Sequence, residues 1–452
     1  MKLLHVIAGA PVGGAETFAQ DAILSLAERG VEQVVITRPY PLALRRYEAA
    51  GVRVIPRAFG LADRILGVPQ IRREAKALGA DLVHAWMSRA AQTLPGGLPC
   101  PAIGWFGDYY KLANFRRCDH FMAVTPDIVR YILAEGAPPH RAGLVNTFGD
   151  MPDSAPVDRA ELTTPAEAPV ILVLSRMHAV KGIDLILNAL TEVPEAYLWL
   201  AGDGPEIGRY QALAQSLGVA ERVRFLGWRT DRKALLAACD ICALPSRYEP
   251  FGTVIVEAWA MRRPLAAAAA AGARQYVTDG ENGLVSAVED VQGLAANLRR
   301  LVAEPDLRAR LAEAGHAAYQ RDFTREVVTD RLLAYYRRAI ALGRRRNDRF
   351  SDARLDPARV TLLADAAQAP DAAPERLTAA AKTLLAYRML GQDEAGRMAA
   401  LAELAGAARF LTPGDRVRLI EPAQFDLITA LPLWRQAEAE SGAAADRMAA
   451  SA

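Results

Sequence analysis

Two glutamates in the segment SRYEPFGTVIVEAWA are the side chains best suited to chemistry. Glu249 and Glu257 are separated by seven residues. Pro250 and Gly252 prevent a single helix from covering the whole span. Glu249 is therefore predicted in a loop, and Glu257 in a helix that begins near Thr253. The two carboxylates can then address different parts of one ligand.

The chemistry of this segment suits a ligand with hydroxyl groups at both ends. A carboxylate can accept both hydrogens of a vicinal diol, and the backbone N–H groups of Phe251, Gly252 and Thr253 would be free at a helix start. A sugar nucleotide has a diol at each end and a diphosphate between. The alternative is a solvated helix face, because two glutamates eight positions apart also occur by chance.

Two cations precede this segment in SRMHAVKG. Arg176 and Lys181 follow a predicted strand, and a helix is predicted from about Ile183. Cations at a strand end beside a helix N-terminus suit a diphosphate, which needs charge neutralisation and several donors. Surface solubility is the alternative for both.

A glycine-rich turn follows the first predicted strand. Gly13 and Gly14 end this turn and lead into Ala15 and Glu16, where backbone N–H groups could reach an anionic ligand. The alternative is a tight strand-to-helix connection. Neither this turn nor the later AGDGPEIG segment has the G-x-G-x-x-G spacing, so a dinucleotide oxidoreductase lacks its main fingerprint.

Composition limits the class of protein that holds these residues. The chain has 452 residues, 52% hydrophobic and 23% charged, with a formal net charge of +2. Those values exclude disorder over the whole chain and the strong positive field of a dedicated nucleic-acid binder. Four cysteines in so long a chain fit a reducing compartment, and the uncharged stretches are too short to span a bilayer. We expect a cytoplasmic protein.

Apolar runs alternate with amphipathic segments, which is typical of parallel strands joined by covering helices. The first set of predicted strands is Lys2 to Ile7, Gln33 to Thr37, Val52 to Ile55, Leu82 to Ala85, Ala102 to Gly104 and His120 to Val124. After a proline-rich linker between Gly149 and Pro169, the second set is Val170 to Leu174, Ala196 to Ala201, Val223 to Leu226, Ile241 to Leu244 and Leu265 to Ala268.

These sets predict an α/β fold with two facing, Rossmann-like, doubly wound domains and a ligand site between them. The predicted domains are 1–150 and 165–345. Beyond them, residues 346–452 are Ala-rich and aromatic-poor, and predict a C-terminal α-helical extension.

Several other motifs are absent or weak. The chain has no D-x-D, G-x-S-x-G, H-E-x-x-H or G-x(4)-G-K-[ST] motif. The lone pair of Cys239 and Cys242 is interpreted as packing. An arginine-rich stretch between Arg45 and Arg73 could attract anionic lipid or an acidic acceptor, and ordinary solvated helix faces explain it nearly as well.

The order of motifs in the second half resembles the donor domain of retaining GT-B glycosyltransferases of family 4. That family has R-x(4)-K-G, a GDGP turn, F-x-G, E-x(7)-E and DG-x-NG. This sequence has them in the same order, beginning at Arg176, Gly202, Phe225, Glu249 and Asp279. The resemblance covers roughly residues 1 to 340.

The resemblance implies a role for each matching residue. Arg176 and Lys181 would hold the diphosphate, Glu257 the ribose hydroxyls and Glu249 the transferred sugar. Arg176, Lys181 and Glu249 are therefore the expected catalytic residues. Backbone donors from 251–253 would bind the sugar and phosphate.

Further donor-binding and acceptor-side residues follow from the same resemblance. Gly227 and Trp228 would border the base. In the first half, Gly13, Gly14 and Glu16 match the family's GGAE start, and Trp86 stands where many members have a histidine. Many members also have a histidine followed by glycine near a later strand end, where it contacts the donor sugar, whereas this chain reads GWFGDYYK. Asp108 is the candidate substitute for that contact, with helix capping or a surface turn as the alternative.

The expected activity is transfer of a sugar from a nucleotide-diphosphate sugar to a saccharide or lipid-linked saccharide, with retention of configuration. A weaker likeness in the first half favours bacterial cell-envelope acceptors such as lipopolysaccharide. We expect no cofactor and no metal, no nucleic-acid partner, and peripheral contact with the inner face of the membrane. The alternatives are a non-catalytic sugar-nucleotide or saccharide-binding scaffold, and a nucleotide-sugar epimerase of the same fold.

Overall fold

The computed structural model describes residues 1–11, 13–60, 63–138, 141–149 and 154–345. The predicted helical extension at 346–452 lies outside these described residues. All statements below refer to the described ranges.

The first sheet has seven strands within the described ranges. They are β1 (Lys2–Ile7), β2 (Glu32–Thr37), β3 (Arg53–Pro56), β4 (Leu82–Trp86), β5 (Ala102–Phe106), β6 (His120–Ala123) and β7 (Ala142–Leu144). The spatial order is β3-β2-β1-β4-β5-β6-β7, and β2–β3, β4–β5, β5–β6 and β6–β7 pair in parallel. β4 and β5 are buried throughout, as expected for strands covered on both faces.

Helices connect these strands. They are α1 (Gly14–Glu28), α2 (Pro41–Ala49), α3 (Asp63–Leu78), α4 (Met87–Gln92) and α5 (Pro126–Ala134). α1 buries Phe18, Ala22 and Leu26, which share one face at intervals of four residues.

The second sheet has six strands in the part of the chain that is described. They are β8 (Val170–Leu174), β9 (Tyr197–Ala201), β10 (Val223–Gly227), β11 (Ile241–Leu244), β12 (Leu265–Ala268) and β13 (Leu284–Ser286). The order is β10-β9-β8-β11-β12-β13, and every neighbouring pair is parallel.

Eight described helices alternate with the strands of the second sheet or follow its last strand. They are α6 (Ile183–Leu190), α7 (Ile207–Ser216), α8 (Arg232–Ala238), α9 (Thr253–Ala260), α10 (Ala271–Tyr276), α11 (Val291–Ala303), α12 (Pro305–Asp322) and α13 (Arg325–Leu342). Fully buried Ile171 and Val173 from β8 pack with Ile183 and Ile186 from α6 in the core. This packing fixes the start of α6 beside the end of β8.

Strand order reverses between β8 and β11 in the second sheet, and between β1 and β4 in the first. In open α/β sheets the crevice outside the carboxyl ends of the strands at such a reversal is where ligands bind. Lys181 follows β8 and Glu249 follows β11 along the chain. The topology therefore brings the two predicted site segments to one switch point.

The predicted fold class is confirmed, since both sheets are doubly wound and parallel. The predicted bounds of β8, β11 and β12 are those observed, and α9 begins at Thr253 as predicted. The sequence analysis missed β7 and β13. Each has three residues, too few to show a periodic pattern.

The chain forms two compact units. One contains 1–3, 7–58 and 145–337, and the other contains 4–6, 59–144 and the described residues from 338 on. The domain boundaries taken from the sequence remain a prediction.

Gly182 joins the turn after β8 to α6 in a left-handed conformation, with φ of 65°. A methyl group on this residue would fall 2.0 Å from the carbonyl oxygen of Pro245, which begins the turn after β11. Only glycine can adopt this conformation without strain and also leave room for that carbonyl. The turns after β8 and β11 are therefore in close contact at this residue.

Replacing Gly182 with alanine is expected to destabilise the chain more than replacing Gly218. Both glycines have positive φ, which costs alanine about 1–2 kcal/mol. A methyl group at Gly218 meets nothing within 4 Å, so Gly218→Ala should lose only that amount. Gly182→Ala should lose at least about 2 kcal/mol more, because the backbone of Pro245 must move. Urea unfolding of both variants measures the difference, and equal losses would contradict the close approach.

Candidate functional site

The turn after β8 presents Lys181 at the start of α6. Residues Ala179–Lys181 form a single 3₁₀ turn, and the side chain of His178 accepts a hydrogen bond from the N–H of Val180 at 3.3 Å. Gly182 ends this turn and begins α6. The capped turn holds the lysine at a fixed position at the carboxyl end of β8.

Lys181 and Glu249 meet directly. The Nζ atom of Lys181 donates a hydrogen bond to Oε2 of Glu249 at 2.6 Å. The two side chains are only 17% and 16% exposed, so solvent screens the pair less than it would on an open surface. The structure thus brings together two of the three predicted catalytic residues.

Arg247 ties the two turns together, and the sequence analysis did not identify it. Its guanidinium donates to both carboxylate oxygens of Asp184 at 2.7 and 2.8 Å, and to Oε2 of Glu289 at 2.9 Å. It also donates to the carbonyl of Ala179 at 2.8 Å, and its backbone N–H donates to the carbonyl of Val180 at 2.9 Å.

The Arg247 contacts are strong enough to alter the acidity of their partner. Burial acts to raise the pKa of Asp184, but the hydrogen bonds and charge of Arg247 outweigh it, and the net pKa is lowered. Bidentate arginine–carboxylate pairs fix geometry as well as charge. Arg247 therefore positions Lys181, which lies between its contacts at Val180 and Asp184, and Glu249, which lies two residues after Arg247 itself.

The loop of Glu249 is anchored on its other side as well. The carbonyl of Glu249 accepts a hydrogen bond from the N–H of Gly272 at 2.7 Å. Phe251 is buried and packs edge-on against Tyr276 and Phe323. The side chain of Phe251 belongs to the core, so only its backbone can contribute to a site. Gly252 then begins α9 with φ of 87°.

Glu257 lies one turn into α9 and is 2% exposed. Its Oε1 accepts a hydrogen bond from Nη1 of Arg232, while its buried Oε2 has no donor among the described residues. Burial raises the pKa of Glu257, and the charge and hydrogen bond of Arg232 oppose that rise. A buried acceptor with no partner is rare and costly, so this oxygen is suited to a donor from a ligand.

Arg176 follows the carboxyl end of β8, and Gly227 ends β10 with Trp228 directly after it, on the same edge of the sheet. The carbonyl of Gly227 accepts the N–H of Gly202 at 2.8 Å, which joins the turn after β10 to the turn after β9. Arg176 is exposed. The side chain of Trp228 is 58% exposed, unusual for tryptophan, and leaves a ring face available.

Gly13 and Gly14 begin α1, and the side chain of Glu16 folds back over their turn. Oε1 of Glu16 accepts the N–H of Ala10 at 2.8 Å. A methyl group on Gly14 would lie 3.9 Å from Oγ1 of Thr253. The N-termini of α1 and α9 therefore approach each other, and both carry the partial positive charge of a helix start.

The two acceptor-side candidates differ in exposure. Trp86 is fully buried at the end of β4, where Nε1 donates to Nδ1 of His5 at 3.2 Å and the ring lies 4.1 Å from that of His84. Its side chain is thus not available for direct contact with a ligand. Asp108 is half-buried, and its Oδ1 accepts a hydrogen bond from the N–H of Tyr109 at 2.7 Å.

The structure also shows the surroundings of the cysteine pair and of the arginine-rich stretch. Cys239 and Cys242 are buried free cysteines, in keeping with packing. In the arginine-rich stretch, Arg57 is buried and Arg46 pairs with Asp21 at 2.6 Å, so neither belongs to an open basic surface.

Two kinds of feature are absent from the described residues. No described group of three or more His, Cys, Asp or Glu side chains could hold a metal ion. No described helix is both long and apolar enough to cross a membrane.

Two doubly wound parallel sheets, with paired ionisable residues at the switch point of the second, form the architecture of GT-B glycosyltransferases. Residues 154–318 match the family model for glycosyl transferases group 1, and residues 12–148 match that for glycosyltransferase family 4. The chain belongs to this family of glycosyltransferases, and the resemblance inferred from the motifs is confirmed.

Similar proteins extend over most of the chain. It is 37% identical to the lipopolysaccharide core biosynthesis glycosyltransferase LpsE of Rhizobium meliloti (strain 1021), with 74% of this chain and 98% of that protein aligned. It is 33% identical to LpsD of the same strain, with 75% and 99% aligned. The crystal structure of Anabaena Alr3699/HepE in complex with UDP and glucose shares the fold, with a TM-score of 0.64 at 23% identity, over 74% of this chain and 98% of that one.

Arg232→Gln is expected to destabilise the chain in a pH-dependent way. Without Arg232, the buried carboxylate of Glu257 loses its counter-charge. The loss should be about 1–3 kcal/mol at pH 8, less than for a fully buried pair, because Arg232 is 43% exposed. The pKa of Glu257 is raised in the folded state, so lowering the pH protonates the folded chain first and relieves the cost.

Urea unfolding at pH 8 and pH 5.5 measures this effect. The difference between wild type and variant should shrink at the lower pH. Arg300→Gln is the control, because it removes a half-exposed partner of Glu304 and should change stability by less than about 0.5 kcal/mol at either pH. A pH-independent loss in Arg232→Gln would contradict the assignment.

Proposed function

We propose that this glycosyltransferase moves a sugar from a nucleoside-diphosphate sugar to a saccharide or lipid-linked saccharide of the bacterial cell envelope, with retention of configuration. The names of the two Rhizobium relatives, both lipopolysaccharide core glycosyltransferases, support the acceptor class. The complex of the Anabaena protein with UDP and glucose supports the donor class.

The observation that carries the donor site is the buried oxygen of Glu257. Its Oε2 has no donor among the described residues, whereas Oε1 is held by Arg232. Ribose hydroxyls are donors of the right kind, and a carboxylate can accept two of them. Binding the ribose would offset the cost of that unsatisfied acceptor.

Lys181 and Glu249 would act on either side of the bond that breaks. Lys181, with Arg176, would neutralise the diphosphate, and Glu249 would accept hydrogen bonds from hydroxyls of the transferred sugar. The first N–H groups of α9, from Thr253 on, have no acceptor within the helix and would bind the phosphate or sugar. Trp228, with its exposed ring beside Gly227, would stack on the base.

In the reaction we propose, the bond between the anomeric carbon and the phosphate oxygen breaks first, and its electron pair stays with the diphosphate. The acceptor oxygen then forms a bond to the same face of the anomeric carbon. The acceptor proton passes to the leaving phosphate oxygen, so no protein nucleophile is required. Arg176 and Lys181 stabilise the charge that grows on the diphosphate.

No metal or cofactor takes part in this proposal. Two cations and the starts of α1 and α9 supply the positive charge that a divalent ion would otherwise give. On the acceptor side, Asp108 is the remaining candidate for contact. The exposed arginines between Arg45 and Arg73 are proposed to make peripheral contact with the inner face of the membrane.

Product analysis tests the proposed reaction. The full chain is incubated with sugars linked to UDP, GDP, ADP and CDP, with and without bacterial envelope glycan, in buffer containing EDTA. Free nucleoside diphosphate should appear with one donor, depend on the glycan and be unaffected by EDTA. Donor isomerised without glycan would indicate an epimerase, and donor binding without turnover would indicate a scaffold. Either result would overturn the proposal.

Lys181→Ala is expected to lower kcat by about 10²–10³, the usual cost of losing one group that stabilises developing charge. Thermal stability should fall only modestly, because Lys181 lies outside the core, although its removal leaves the partly buried Glu249 without its ion-pair partner. Lys76→Ala, at an exposed helical site remote in sequence, is the matched control and should keep full activity. A folded Lys181→Ala protein with wild-type turnover would exclude the assigned role.

A further inference from the structure

A cavity lies at the edge of the first sheet where β5 and β6 begin. Its volume is about 210 Å³, and residues 95–98, 116–119 and 344–345 line it. Trp86 and Asp108 follow the opposite, carboxyl ends of β4 and β5. With five residues in β5 and about 3.3 Å per residue, the cavity is separated from those candidates by roughly the length of a strand.

Four arginines and a single carboxylate line this cavity. The arginines are Arg116, Arg117, Arg344 and Arg345, and the carboxylate is Asp119. Both oxygens of Asp119 accept backbone N–H groups, from Ala102 at 2.9 Å and from Arg345 at 2.8 Å. The carboxylate of Asp119 therefore joins the start of β5 to the segment after α13. With four arginines around it, the cavity keeps an excess of positive charge.

The cavity wall is held in place by hydrogen bonds to backbone carbonyls. Nη2 of Arg345 donates to the carbonyl of Arg116 at 3.0 Å, and Nη1 of Arg117 donates to that of Leu94. Just before Arg344, the carbonyl of Gly343 accepts Nη1 of Arg141 at 3.0 Å. The segment after α13 is thus fixed against the start of β6.

Two of the four guanidinium groups remain available. Arg116 and Arg344 are exposed, and neither side chain donates to an acceptor in the described part of the chain. Bringing cations together costs free energy unless an anion joins them. Arginine is also the side chain whose planar set of donors matches a phosphate.

We propose that this cavity binds a phosphate-bearing anion, either a small soluble phosphate compound or the phosphate of a lipid headgroup. Its volume is below the roughly 300–1,000 Å³ of pockets for drug-sized ligands, so it suits a phosphate or diphosphate group and not a second sugar nucleotide. The inference goes beyond the proposed function and does not depend on it.

The test compares three full-length proteins. These are the wild type, the double variant Arg116→Gln with Arg344→Gln, and the control Arg299→Gln with Arg300→Gln, which removes the same charge from an exposed face of α11. One arm measures binding of inorganic pyrophosphate by calorimetry at low salt. The other measures sedimentation with vesicles of phosphatidylglycerol and phosphatidylcholine, against phosphatidylcholine alone. The donor site is the same in all three proteins, so differences report the cavity.

The cavity variant should bind pyrophosphate at least about tenfold more weakly than wild type, and the control should not. If the cavity variant also loses vesicle binding, the natural ligand is the phosphate of a lipid headgroup. If its vesicle binding is unchanged, the natural ligand is a soluble phosphate compound. Arg344→Glu alone provides a second variant if the double variant is unstable. Equal pyrophosphate binding by wild type and the folded cavity variants would overturn the proposal.

Discussion

The bidentate pairing of Arg247 with Asp184 is the interaction on which the geometry of the site depends. It links the turn after β8 to the turn after β11, and these turns carry Lys181 and Glu249. A single hydrogen bond between two turns would leave them free to shift relative to each other. One guanidinium with two carboxylates and a carbonyl as partners removes that freedom, because each donor has a fixed direction.

Glu257 illustrates a different constraint, because its carboxylate is buried away from water. Oε1 of its carboxylate accepts a hydrogen bond from Arg232, whereas Oε2 has no donor among the described residues. Burial raises the pKa of Glu257. The fold tolerates this because α9 is otherwise packed through apolar side chains such as Ile255, Val256 and Trp259. A stable helix can thus hold one poorly satisfied group ready for a ligand.

Much of this arrangement was predictable from local pattern. The strands β8 and β11 are continuous apolar runs, and Pro250 with Gly252 sets the start of α9, so the positions of Lys181, Glu249 and Glu257 on their elements followed from the sequence. The roles of Arg247 and Arg232 did not, because their partners are 63 and 25 residues away and no spacing rule links them. Trp86 was a candidate for ligand contact because of its position at a strand end. That position did not reveal that His5 and His84 lie against its ring. The first half of the chain stays the less predictable one, because the contacts of its candidate residues depend on long-range packing.

The resting ion pair of Lys181 and Glu249 has a consequence for which molecules can occupy the site. A lysine already neutralised by a carboxylate offers little attraction to a bare inorganic anion, and such an anion would also be repelled by Glu249. A ligand that brings hydroxyl hydrogens for the carboxylate together with negative charge for the ammonium would replace both halves of the pair at once. In the proposed donor site, the Lys181–Glu249 pair would thereby discriminate against free orthophosphate.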